Sequence, residues 1–453
     1  MNNVIEKQRA YFASGATRSV VARKTALRQL QKSILAHQKQ ICAALESDLG
    51  KSDTESYMSE IATTLSEISY AFKHLRRWTK TRHPHSILAN FPSRQKIICE
   101  PYGVVLILAP WNYPFYLSIV PLIGALAAGN CCILKPSSDA PATAELLQHL
   151  LRDTFPTELV TVICGGVAES QALLEEKFDY IFYTGNGRVG RYVMERAAQH
   201  LTPVTLELGG KSPVIIAQSA PLRLAARRIV FGKFLNCGQT CVAPDYILVV
   251  KAVHDELVQY LKEEIVKQYG SNPLQNAEYG RIINRKHYER LSALIDSEKV
   301  VYGGNKDETT LQIAPTILDN ISPHDLIMQE EIFGPLLPII CVEDTEEAIR
   351  FVKAQDKPLA LYLFAKDKPL AERVFHEIPC GGGCVNDVLS HIISPNLPFG
   401  GIGASGMGAY HGKSSFDTFS HKKAVVCRGT WCDPIIRYQP YTQLKRRLLK
   451  YFL

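Results

Sequence analysis

From Pro101 to Leu134 the chain carries no charged residue, and no other stretch limits the possible folds as much. About 20 apolar residues are enough to cross a membrane as a helix. Pro110, Pro114 and Pro121, with Asn112 among them, argue against a spanning helix, because proline removes a backbone donor and breaks a helix interior. The better parse is a buried strand over Val104–Leu108, a bend at Ala109-Pro-Trp-Asn-Tyr-Pro114 and an apolar helix to Ala128. Gly129-Asn130 ends that helix, and a second buried strand covers Cys131–Leu134. Continuous apolar strands joined by a helix are what a parallel sheet covered on both faces requires.

The alternation continues. Strands are predicted at Val160–Cys164, Tyr180–Thr184 and Thr202–Leu208, with helices between them, which is a doubly wound nucleotide-binding pattern. A second α/β region starts near Lys211, with strands near Val214, Tyr246–Val250, Leu337–Val342, Leu361–Phe364 and Gly383–Val385. The first eighty residues read as helices, one capped by Ser52 and Asp53 with a packing face of Ile61, Leu65, Ile68, Phe72 and Leu75. Pro84 to Glu100 reads as extended segments that could reach another domain or subunit. The end, Lys445-Arg-Arg-Leu-Leu-Lys-Tyr-Phe-Leu453, reads as a basic amphipathic surface tail, with a weak membrane-surface contact as the alternative.

A chain of 453 residues with 46% hydrophobic content has room for two or three domains. The net charge of +7 is mild over this length and has no long basic run before the C-terminus, so nucleic acid is not expected as a partner. The twelve cysteines are irregularly spaced, and the opening Met-Asn-Asn-Val-Ile-Glu-Lys lacks the apolar core of a secretory signal. They read as reduced thiols of a cytoplasmic protein. Cys237/Cys241 and Cys380/Cys384 have a spacing that zinc pairs can have. The first pair sits in a bend better suited to a nucleophile and the second flanks a glycine run, so no metal is expected.

Four features could carry chemistry. In Phe234-Leu-Asn-Cys-Gly-Gln-Thr-Cys241-Val-Ala-Pro244, Gly238 permits a sharp bend and Pro244 stops regular structure. A cysteine there can stay reachable, and its thiolate fraction is a strong nucleophile; a buried structural cysteine is the bland alternative. Gly185-x-Gly187-x-x-Gly190 follows a strand and opens a helix, whose free N–H groups suit phosphates. That fingerprint wants an acid about twenty residues on, and Glu207 lies at 207 − 187 = 20. Glu207 also ends a strand beside Gly209-Gly210, where its carboxylate could face a crevice or be satisfied by backbone N–H groups or a lysine. Asn112 is either a fixed amide donor or an ordinary turn residue.

Six ordered motifs carry a resemblance. Pro110-Trp-Asn-Tyr-Pro-Phe115, Leu134-Lys-Pro-Ser137, Leu206-Glu-Leu-Gly-Gly-Lys-Ser-Pro213, Asn236-Cys-Gly-Gln-Thr-Cys241, Gln329-Glu-Glu-Ile-Phe-Gly-Pro335 and Pro398-Phe-Gly-Gly-Ile-Gly-Ala-Ser-Gly-Met-Gly408 look like those of NAD(P)-dependent aldehyde dehydrogenases. The ending Tyr410-His-Gly-Lys-Ser-Ser-Phe-Asp-Thr-Phe-Ser-His421 is most similar to the class 3 branch, which includes fatty and aromatic aldehyde dehydrogenases. The resemblance implies an aldehyde dehydrogenase-like α/β fold: two doubly wound domains plus a small β oligomerisation ribbon. It places a cofactor-binding domain at 1–82 and 101–209, a catalytic domain at 210–405, bridging strands at 83–100 and 420–440, and a basic tail at 441–453.

It also implies roles. Cys241 attacks the aldehyde, Asn112 and the Cys241 N–H hold the oxyanion, and Glu207 activates the water that hydrolyses a thioester. Lys135 and Glu331 hold the two riboses, Phe333 packs near the nicotinamide, and Gly185 and Gly190 let a helix approach the pyrophosphate. His411 resembles a family histidine whose role stays open. NAD-selective members carry an acid three residues after the lysine; here that position is Ser138, so NAD or NADP is expected to serve. Tyr113, Phe115 and Tyr116 suit medium-chain, long-chain or aromatic aldehydes, although core packing accounts for them equally well. A homodimer without a transmembrane segment is expected. A cysteine-dependent acyltransferase or hydrolase, and a scaffold that lost its chemistry, are the rival readings.

Overall fold

The computed structural model describes residues 2–87, 90 and 92–452. The parts of the expected 83–100 ribbon at 88, 89 and 91, and the ends at Met1 and Leu453, lie outside the described residues.

The uncharged stretch folds as a strand Val104–Leu108, a helix Tyr116–Ala128 and a strand Cys131–Lys135, each buried along almost its whole length. Gly129, at φ +96°, ends the helix in the left-handed region. Pro110 and Pro114 lie in the loop, but Pro121 sits inside the helix. It is tolerated because tertiary packing around a fully buried helix outweighs one lost hydrogen bond. No helix among the described residues is long and apolar enough to cross a membrane.

The two strands anchor a six-stranded sheet. Its spatial order is Gly406–Met407, Val204–Glu207, Tyr180–Thr184, Val104–Leu108, Cys131–Lys135, Val160–Val162. All neighbours are parallel except the Gly406–Met407 edge. Chain order reverses between Tyr180–Thr184 and Val104–Leu108, so a crevice opens at the carboxyl ends of these strands. A seven-stranded sheet runs Gly382–Val385, Ala360–Phe364, Pro213–Ile216, Tyr246–Val250, Leu336–Val342, Thr316–Leu318, Val300–Tyr302, with only the last strand antiparallel. Its five central and edge strands match the predicted ones. Thr316–Leu318 and Val300–Tyr302 were not predicted, because three residues are too few to show a period.

After the second sheet the chain returns to the first. Gly406–Met407 pairs with Val204–Glu207, and the helix Gly412–Thr418 packs on Ala62–Trp78 and Tyr116–Ala128. Ser93–Pro101 and Ser420–Arg428 form an antiparallel two-stranded ribbon. Beyond it the chain carries the basic helix Gln443–Phe452. Ser52 caps the short helix Asp53–Ser56 as predicted, accepting from Glu55 N at 3.2 Å. A π-turn over Tyr57–Ile61 then separates it from the helix Ala62–Trp78.

Candidate active site

Four predicted positions follow the carboxyl ends of parallel strands in the first sheet. Asn112 follows Val104–Leu108, Lys135 ends its strand, Gly185 follows Tyr180–Thr184, and Glu207 ends Val204–Glu207. The second sheet offers its amino edge. Cys241 precedes Tyr246–Val250, and Glu331 and Phe333 precede Leu336–Val342. The site forms where the two edges meet.

The Cys241 loop is bent hard. Asn236, Cys237 and Gly238 take φ of +51°, +52° and +73° in succession. Only glycine adopts this region freely, so the two side chains here store strain of the kind found at functional sites. A Cβ on Gly238 would stand 2.3 Å from the Gly334 carbonyl. The bend leaves Cys241 partly exposed while Cys237 is buried. Burial raises the Cys241 thiol pKa, the nearby Glu331 and Glu207 carboxyls raise it further, and the backbone N–H groups of Cys241 and Val242 act in the opposite direction.

Asn112 is buried, and its Nδ2 donates to the Gln239 carbonyl at 3.0 Å, two residues before Cys241. A side-chain amide has two N–H donors, so one is spent on the cysteine loop and one remains. Glu207 is 3% exposed, and neither carboxyl oxygen has a hydrogen-bond partner. The reading of Glu207 as an acid satisfied by backbone N–H groups therefore fails. Burial alone pushes its pKa well above the ordinary carboxylate range. Glu331 is also raised, to about 8, by burial and then by Asp245; Gly210, Lys211 and Arg290 oppose the shift. Its Oε1 is buried without a partner. A Cβ on Gly209 would fall 2.0 Å from Glu331 Oε2, so only glycine leaves room for that carboxyl.

Lys135 lies apart from these groups. Its Nζ donates to the Pro136 and Gly165 carbonyls at 2.9 and 2.7 Å, next to a cleft of about 370 Å³ walled by Ser137, Ser138, Glu145, His149 and Gly165. None of Asn112, Glu207 or Cys241 lines that cleft. Gly187 starts the helix Gly187–Ala198, capped by Asn186, whose Oδ1 accepts from Val189 N at 3.0 Å. A Cβ at Gly190 would meet Leu208 at 2.7 Å, and one at Gly185 would meet the Tyr183 hydroxyl at 2.2 Å. These two glycines make room for the protein's own side chains; Gly187 alone faces open space. Phe333, at φ +51°, meets Trp111 edge-on at 5.3 Å.

Of the aromatic candidates, Phe115 is fully buried in the core, and the Tyr113 hydroxyl is fixed by Thr240 Oγ1 at 2.6 Å. Tyr116 is partly exposed, and its hydroxyl lies 3.1 Å from His411 Nε2. His411 Nδ1 stands 3.6 Å from Glu67. Burial lowers the imidazole pKa to about 3 and raises the Glu67 carboxyl to about 7, so the contact is not an ion pair at neutral pH. Sequence reasoning missed Glu67, and also Lys51, Glu55 and Glu60, which bond to the Asn112 and Cys241 loops. A charged residue in an amphipathic helix reads as solvated surface, and nothing in these residues' spacing says otherwise. Among the described residues no group of three or more metal-ligating side chains occurs.

A reachable thiol, a bound amide and an unpartnered carboxyl, set beside a nucleotide-type sheet edge, define an enzyme that handles a carbonyl group. The sequence matches the aldehyde dehydrogenase family over residues 1–425, and the chain belongs to that family. It is an oxidoreductase acting on aldehydes, and NAD(P) is the cofactor. Several of its relatives are named as family 3 aldehyde dehydrogenases. Aldehyde dehydrogenase family 3 member A2 of Rattus norvegicus is 45% identical over 455 residues, covering 100% of this chain and 94% of that one. The protein named "Aldehyde dehydrogenase, dimeric NADP-preferring" of Rattus norvegicus is 46% identical over 428 residues, covering 94% of each. A solved structure titled "Substrate bound state of Staphylococcus Aureus AldH" superposes with a TM-score of 0.98 at 46% identity, covering 100% of this chain and 99% of that one.

Proposed function

We propose that the protein oxidises medium-chain, long-chain or aromatic aldehydes to carboxylic acids through a thiohemiacetal and a thioester on Cys241. Cys241 Sγ adds to the carbonyl carbon as the thiolate, its S–H proton having passed to water, and the carbonyl oxygen takes the negative charge as the C=O π bond breaks. The spare Asn112 N–H and the Cys241 backbone N–H stabilise that charge. Glu331 and Phe333 would hold a nicotinamide here, which when bound would supply the acceptor for the hydride lost from the adduct carbon. The product on the enzyme is a thioester. Glu207 takes a proton from water, whose oxygen attacks the thioester carbon and releases the acid and Cys241. The observation that carries this reading is Glu207: a buried carboxyl with both oxygens unpartnered is costly to fold, and a proton-transfer role accounts for it.

The cofactor groups fit the residues present. The unpartnered Glu331 Oε1 suits the hydroxyls of the nicotinamide ribose, and Lys135 beside its cleft suits the adenosine ribose. Gly187, with open space above it, suits a pyrophosphate at the helix start. The domain roles follow: 1–82 and 101–209 bind cofactor, and 210–405 carries the nucleophile. The ribbon of Ser93–Pro101 and Ser420–Arg428 is read as the bridge of a homodimer. Twelve free cysteines support a reducing, cytoplasmic setting.

Formation of NADH with aldehydes of increasing chain length, followed by absorbance, tests the substrate class. Rates that rise with chain length or aromaticity support it; rates confined to two- and three-carbon aldehydes contradict it. Asn112→Ala is expected to lower kcat about a hundredfold or more, the usual loss for one oxyanion donor, with little change in cofactor affinity. Ser138 repels no 2′-phosphate, so initial rates with NAD and NADP are expected to lie within about a thousandfold, roughly 4 kcal/mol at 1.4 kcal/mol per decade.

A further inference from the structure

The geometry points to Lys51 and Glu60 as a buried clamp that positions the Asn112 donor. The inference rests on reading Asn112 as that donor. Lys51 follows Gly50, the left-handed cap of the helix Gln38–Leu49, and Glu60 sits in the π-turn Tyr57–Ile61. Both are fully buried, at 1% and 0% exposure, and Lys51 Nζ lies 2.5 Å from Glu60 Oε1. The same ammonium donates to the Asn112 carbonyl at 3.2 Å and stands 4.0 Å from the centre of the Tyr113 ring. Glu60 Oε2 accepts from the backbone N–H groups of Phe115 and Tyr116 at 2.9 and 3.0 Å. One ion pair therefore grips the Asn112–Tyr116 segment at three backbone points.

The other side of the Asn112 peptide is tied to the nucleophile loop. Asn236 Nδ2 donates to the Asn112 carbonyl at 2.7 Å and to the Gln239 carbonyl at 3.1 Å. Asn236 N donates to Glu55 Oε1 at 2.9 Å. Residues 51–60 thus brace the amide and the cysteine in one polar network that the catalytic reading leaves without a task.

Stability does not explain the pair. Replacing a buried ion pair by well-packed apolar residues of similar volume is often harmless to folding. A donor displaced by about an ångström can cost a hundredfold in rate. The clamp's task is therefore direction: it fixes the peptide from which the Asn112 side chain reaches the Gln239 carbonyl in the Cys241 loop. Lys51 and Glu60 are positioning residues and touch no reacting atom.

The test is a mutant cycle. Lys51→Met alone leaves Glu60 buried and unpaired and is prone to unfold, so the main variant is Lys51→Met with Glu60→Gln. That pair is neutral and keeps an acceptor for the Phe115 and Tyr116 N–H groups. It is expected to keep its thermal midpoint, its NAD affinity and its rate of Cys241 alkylation by iodoacetamide, which forms no oxyanion. Its kcat is expected to fall by about tenfold or more while KM changes little. Added to Asn112→Ala, it should cost nothing further, because the group it positions is gone. The same fold loss with and without Asn112 would overturn the clamp, as would an alkylation rate that falls in step with kcat. If Asn112→Ala alone left kcat unchanged, the oxyanion reading itself would fail, which is a separate outcome.

Discussion

Cys241→Ala is expected to abolish dehydrogenase turnover, a loss of about ten-thousandfold or more, as for other removed nucleophiles. NAD binding, followed by fluorescence titration, should survive. No neighbour can take over the chemistry. Cys237 is four residues away but buried, whereas Cys241 is partly exposed. Cys384 is also buried, its Sγ 3.4 Å from both Ser390 Oγ and His391 Nδ1. Retained turnover in Cys241→Ala would remove the nucleophile assignment, and lost NAD binding would mean that the substitution had damaged the fold.

Glu207→Gln is expected to separate the two halves of the reaction. The first half needs Cys241 and Asn112, so a burst of NADH should appear. The second half needs a base, so steady turnover should fall by a factor of about a hundred to ten thousand. The pH dependence carries the same signature. Burial raises the Glu207 pKa, which holds the carboxyl neutral to higher pH than an exposed acid. Only the ionised form accepts a proton from water, so thioester hydrolysis should accelerate as pH rises. That acceleration should vanish in Glu207→Gln. Unchanged steady turnover would return Glu207 to a structural or ribose-binding role.

Much of the fold and of the candidate site is written in local sequence. The buried strands Val104–Leu108 and Cys131–Lys135 are apolar throughout, and the helix between them ends on a glycine. Long periodic helices such as His254–Tyr269 are readable for the same reason. The bend at Gly238 and the strand end at Glu207 mark places where side chains leave regular structure. Spacing alone misleads at Glu207, because a dinucleotide fingerprint wants an acid at that distance; the unpartnered oxygens favour a different job.

What the sequence hides is tertiary. Gly406–Met407 is two residues long and becomes a strand only because Val204–Glu207 offers it an edge. Lys51 and Glu60 look like surface charges, and their pairing depends on a π-turn that no composition rule announces. His411 and Glu67 are 344 residues apart and meet only because the chain returns to the first sheet.

The central claim is that the acyl group passes through one particular sulfur of the twelve. It is tested most directly by mixing Glu207→Gln enzyme with NAD and a medium-chain aldehyde, quenching during the burst, digesting in acid and measuring peptide masses. The account predicts an acyl mass added to the peptide that contains Cys241 and to no other. NADH formed without any acyl-peptide, or an acyl group on a different cysteine, would contradict it.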